Sequence, residues 1–202
     1  MTVLTIASDL AVPADQIGRA VADAAGMAYV DAPALLALGK LLHPEINVSD
    51  DVEVLERRIG GRLTQLALGL AITGGAWPAN REIEFRNAMP DLAREVTLRA
   101  AESPAVIRAP AAFAALGDHP GAIHVRLWAP KAWRVEQHHR SALIDRATAE
   151  AAISSDDHLQ RTWVRSLYGA DLDDLRRFML SIDVSRIPRD TIVASLVALL
   201  NA

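Results

Sequence analysis

Arginine is the residue type through which this sequence could most readily do chemistry. Arg134, Arg140, Arg146, Arg161 and Arg165 fall within one polar stretch. Guanidinium groups gathered around one centre stabilise a transferring phosphoryl group, because their planar donors match phosphate oxygens and keep their charge. The same arginines also read as solvated helix faces paired with Asp145, Glu150 or Asp156, the ordinary fate of surface charge. Asp156-Asp157 could hold Mg²⁺ through water or, following Ser154-Ser155, cap the start of a helix. His138-His139 makes a poor metal site, since adjacent helical residues diverge by about 100° and no ligand follows at i+4. No G-x-S-x-G elbow occurs, the six histidines have no recognisable partner spacing, and there is no cysteine. Disulfides, thiolate metal sites and cysteine nucleophiles are therefore excluded, and a serine nucleophile has no support. The expected sets are thus no catalytic residue and no metal ligand.

The elements that would position these groups begin at Val3-Leu4-Thr5-Ile6-Ala7, an apolar run of the kind that forms a buried parallel strand. A turn, Ser8 to Ala14, leads into a helix with Ile17, Ala20, Val21, Ala24 and Ala25 at helical spacing, stopped by Gly26. A strand feeding a helix through a tight turn is where α/β proteins cradle phosphate on backbone N–H groups. Here that turn has neither glycine nor lysine.

At 202 residues, 51% hydrophobic and 23% charged, the chain can bury one good-sized core. A formal net charge of -4 gives no basic field for nucleic acid or anionic lipid. The four tryptophans accordingly read as packing anchors. No charged segment with a long apolar core opens the sequence, so a cytoplasmic location is expected. Met27 to Val30 reads as a second strand, and Asp31 and Pro33 start a helix running to Gly39. Lys40 to Asp51 reads as a loop, and a long helical segment follows. Leu63 to Asn80 is the most apolar length, but Gln65, Gly69, Gly74, Gly75 and Pro78 argue against a membrane span. Core burial and a homodimer contact through Leu63 to Trp77 are the two readings that remain. Pro90 opens a further helix, and Ala105-Val106-Ile107 and Ile123 to Pro130 read as strands around a short helix. Alternation of strands and helices predicts a parallel sheet covered on both faces.

These blocks resemble the cytidylate-kinase-like proteins, relatives of the P-loop nucleoside monophosphate kinases. That family opens roughly Ile-Ser-Arg-Glu-Tyr-Gly-Ser-Gly-Gly-Arg-Glu-Ile-Gly-Arg, and Ser8, Ile17, Gly18, Arg19 and Gly26 match once a single residue is deleted. The family's glycines fall on Ala11, Pro13 and Ala14, and its phosphate-facing Arg or Lys falls on Asp15. Proline removes a donor, methyl groups crowd an anion and a carboxylate repels it. Asp15 has a local reading too, capping or favourably charging the first turn of its helix. Further on, Ala129-Pro130 and Arg134-Val135 match, whereas the family's Gly-Arg-Gly lies on Ala109-Pro110-Ala111 and its following Asn on Phe113. Anchored on Tyr168-Gly169, the family's lid Asp is Asp157, its lid Arg falls on Gln160 with Arg161 beside it, and Trp163 matches an aromatic.

The resemblance implies a single domain over residues 1–202, a three-layer P-loop kinase-like fold with a sheet of about five parallel strands. Residues 40–88 take the place of an inserted substrate domain and residues 134–168 that of lid helices. Ser8, Arg134, Asp157 and Arg161 take nucleotide-facing positions, while Ala11, Pro13, Ala14, Asp15 and Pro110 mark lost phosphate binding. The expectation is a catalytically degenerate family member that binds a partner protein or itself, with no cofactor. The alternative is an active CMP-type kinase using ATP and Mg²⁺ through an atypical loop.

Overall fold

A computed structural model describes residues 2–42 and 91–202. The long helical segment, the inserted-domain region beyond residue 42 and the apolar stretch Leu63 to Trp77 lie outside the described residues. The described elements are β1 (Val3–Ser8), α1 (Ala14–Ala25), β2 (Ala28–Val30), α2 (Ala32–Leu42), a helix over 91–100 (α3), β3 (Ala105–Arg108) and α4 (Ala112–Leu116). They continue with β4 (Ala122–Trp128), α5 (Lys131–Ala142), α6 (Arg146–Tyr168), β5 (Leu180–Asp183) and α7 (Arg189–Leu200).

All five strands are parallel, in the order β2-β3-β1-β4-β5. Every residue of β1 is buried, as its uninterrupted apolar run requires of a central strand. Alternate side chains go to opposite faces. Leu4 and Ile6, with Val125, Leu127 and Ile182, pack under Ile17 and Val21 of α1 and Ile192 and Leu196 of α7. Val3 and Ile107 pack on the other face with Leu35, Val96 and Leu116. Farther along that face Ala7 meets Phe113, Val164, Leu172 and Phe178. Thr5, fully buried, donates its hydroxyl to Nδ1 of His124 at 2.8 Å, because Nε2 of that ring must carry the hydrogen that it gives to the Gly117 carbonyl, also at 2.8 Å.

Several local expectations are corrected. α2 runs through Gly39 to Leu42, with the Asp31 carboxylate accepting from the Ala34 N–H. Asp156-Asp157 do not open a helix: α6 starts eleven residues earlier than Asp157, at Arg146, capped by Asp145 accepting from the Thr148 N–H, and Ser154 donates to the Glu150 carbonyl in mid-helix. An earlier cap makes the second one unnecessary. Trp128 is 37% exposed and so is no packing anchor.

Gly26, at φ +64°, closes α1 with a left-handed turn that passes the Met27 N–H to the Ala22 carbonyl. Gly18 serves a different purpose. A Cβ there would lie 2.7 Å from the Tyr29 ring. Gly18→Ala is therefore expected to displace Tyr29 and lower stability by about 1–3 kcal/mol, read from urea unfolding.

Candidate functional site

The chain leaves β1 toward β2 on one side and leaves β4 toward β5 on the other, so the carboxyl ends of β1 and β4 form a switch point. Crevices of this kind are where open α/β sheets bind ligands. Ser8 ends β1 there, buried and in register with Leu127. An open cleft of about 490 Å³ lies at this end, lined by Asp9, Arg126, Trp128, Arg134, Arg161 and Asp173 among others.

Each cleft arginine meets a carboxylate. Arg126, 4% exposed, bonds through Nη2 to Asp9 Oδ1. Arg134, 5% exposed, donates Nε to the Ala129 carbonyl at 3.0 Å and grips Asp157 with both terminal nitrogens at 2.8 Å. Its Nε also lies 3.7 Å from Asp9 Oδ2. Burial alone weakens the Arg134 charge, but the Asp157 hydrogen bonds and the neighbouring Asp9 and Asp157 charges outweigh it and hold the guanidinium above its ordinary value. Arg161, at the rim, donates to Asp173 at 2.7 Å. The other arginines of the stretch are surface pairs with partners other than those expected: Arg140 and Arg146 share Glu136, Arg165 lies 3.6 Å from Asp171, and Glu150 takes Lys131. Gln160 is buried and donates to Asp156. Among the described residues no cluster of histidines and carboxylates is arranged to hold a metal ion, and no helix is long and apolar enough to cross a membrane.

The loop between β1 and α1 turns its own amides inward. Val12 N–H donates to the Asp9 carbonyl and Ala14 N–H to the Val12 carbonyl, while Pro13 occupies the N-cap without a donor. Ala11 sits at φ +66°, the left-handed region that favours glycine. Asp15 is in the first turn of α1, yet no side chain caps that helix. Its carboxylate instead accepts from the Tyr29 hydroxyl at 2.7 Å and lies 3.5 Å from Arg108 Nη2. The Arg19 guanidinium covers the Tyr29 ring at 4.4 Å and bonds Asp31. Pro110, where the family arginine would stand, lines with Leu35, Val96 and Trp163 a small apolar cavity of about 30 Å³, room for one or two waters at most.

Burial first, then the Asp15 hydrogen bond, raises Tyr29 above the ordinary phenol value of 10.0, and burial raises Tyr168 likewise. In both the fold holds a proton that the unfolded chain releases. Their contribution is complete below pH 10.0 and declines as pH rises toward the raised values. Urea midpoints measured between about pH 9 and 11 are expected to fall, and Tyr29→Phe to flatten the fall.

Ser8, Arg134, Asp157 and Arg161 thus come to one end of the sheet, with the last three around or beside the cleft. Asp9, Arg126 and Asp173 were not foreseen. A charged Arg126 inside the apolar stretch Ile123 to Pro130 was the available signal, since a buried guanidinium needs a partner.

A five-stranded parallel sheet in this order, with helices on both faces and an open crevice beyond β1, defines the P-loop kinase architecture, and solved structures agree. An uncharacterized protein from Eubacterium ventriosum superposes with a TM-score of 0.67 at 11% identity, covering 100% of this chain and 99% of that one. A gluconokinase from Sinorhizobium meliloti gives 0.56 at 15% identity, covering 99% and 91%, and a shikimate kinase from Bacteroides thetaiotaomicron 0.53 at 11%, covering 100% and 99%. No curated protein matches the sequence. The model of the cytidylate kinase-like family matches residues 3–186, and the chain belongs to that family.

Proposed function

We propose that this chain is a catalytically degenerate cytidylate-kinase-like protein that acts by binding a protein partner or a second copy of itself. The observation that carries the reading is the loop after β1. Its amides at Val12 and Ala14 bond within the loop, Pro13 has none to give, and Asp15 presents a carboxylate where the family presents a cation. An anion arriving there meets repulsion and few donors. Residues 134–168, mostly α5 and α6, are the counterpart of the family's lid, and Ser8, Arg134, Asp157 and Arg161 the remnant of its nucleotide-facing set. One observation favours the alternative of an active CMP-type kinase: three arginines still line an open cleft at the switch point. Calorimetric titration with MgATP and with CMP, followed by a phosphoryl-transfer assay, separates the two. No heat up to millimolar ligand and no transfer is the expected result. Micromolar MgATP binding with turnover overturns the reading.

A further inference from the structure

We propose that Asp9 and Asp157 are built-in counter-ions that mask a polyanion site formed by Arg126 and Arg134, with Arg161 and Asp173 as a looser pair at its rim. The inference rests on the degenerate reading above and says what keeps the cleft silent. Arg126 and Arg134 are buried side chains that come from different elements, β4 and α5, yet converge on the two oxygens of one carboxylate, Asp9. Asp157, reaching in from α6, completes the second guanidinium in the two-point geometry that a phosphate would otherwise adopt. The carboxylates therefore satisfy the donors in the manner of a bound diphosphate, and they hold α6 against α5 and the β1 loop as a bound ligand would. The ligand class that fits the unmasked donors is a compact polyanion carrying two linked phosphoryl groups, because two forked cations face one open cleft of about 490 Å³. In the native chain such a ligand must first displace an internal anion, which lowers its apparent affinity by the fraction of molecules that are open.

The test is thermal and calorimetric titration of wild type, Asp9→Asn and Asp157→Asn with sodium pyrophosphate, at fixed ionic strength. Wild type is expected to show no saturable binding in the millimolar range, and each variant to bind at least about tenfold tighter and to melt higher with pyrophosphate. Adding Arg134→Gln to Asp157→Asn is expected to remove that gain. Folded but silent variants overturn the masking, as does wild-type binding equal to theirs or a gain that survives Arg134→Gln. Should both buried variants fail to fold, Asp173→Asn decides: this carboxylate is 53% exposed, and with Asp9 and Asp157 still in place the variant is expected to bind pyrophosphate no better than wild type. Saturable submillimolar binding overturns their role as the mask, while silence supports it. Phosphoryl transfer by wild type overturns the degenerate reading itself; silent variants of a transfer-silent wild type overturn the masking alone.

Discussion

Arg134→Ala is expected to lower the unfolding free energy by about 3–5 kcal/mol, among the largest effects of any single change to a polar residue in the described chain. The substitution removes a 95%-buried guanidinium from Asp157, whose side chain is only 15% exposed, and from Asp9, 12% exposed. Both carboxylates are then left in a poorly solvated site with one cation fewer. Desolvation already weighs against each charge, so losing the partner costs more than the pair contributes. Two controls isolate this mechanism. Arg134→Lys keeps the charge but not the fork, and is expected to recover only part of the loss. Arg134→Met with Asp157→Leu removes both charges and is expected to recover most of it, because no ion is stranded. Urea unfolding of wild type and the three variants measures these differences; an Arg134→Ala protein within about 1 kcal/mol of wild type contradicts the assigned pairing.

Phe113→Ala is the second large effect, expected at about 3–5 kcal/mol. Phe113 is 2% exposed and its ring lies 4.7 Å from that of Phe178 and 6.5 Å from that of His124. It fills the space where Ala7 of the central strand meets Val164 of α6 and Leu172 of the following loop. Those neighbours come from separate elements and cannot all move into the vacated volume, so a cavity remains. Phe113→Leu, closer in volume, is expected to cost less than about 1.5 kcal/mol. The position is informative in another way. By the resemblance the family carries a polar Asn at this place, whereas here a core aromatic joins the central strand to α6.

The central strand, its helix and their parallel partners were legible because they bury nearly unbroken apolar runs, a pattern that few other arrangements satisfy. Ala105-Val106-Ile107 and the strand Ile123 to Pro130 fell within a residue or two of their observed bounds for the same reason. Strand order was not readable from periodicity, which does not say which strands are neighbours. The site was legible by half. Arg134 and Asp157 were picked out through motif positions, but their mutual contact joins α5 to α6 across 23 positions of sequence, and no local rule reaches that far. Ser154-Ser155 misled because serine favours helix starts only when no earlier cap has begun the helix. Asp15 misled in a subtler way. Its place in the first turn was right, while its hydrogen bond goes to Tyr29, fourteen residues away, which only the packing of Gly18 against that ring makes available.

Ala11 gives this picture a direction. An alanine at φ +66° forgoes about 1–2 kcal/mol relative to its preferred backbone geometry, so the loop does not rest in its present path by its own choice. It is held there, by the inward hydrogen bonds of Val12 and Ala14 and by the Asp9 tether to Arg126. A loop under such tension stores part of the work of its own release. Whatever draws Asp9 away from Arg126 is assisted by the backbone recoil of Ala11, so the opening of that ion pair and the reshaping of the loop favour one another.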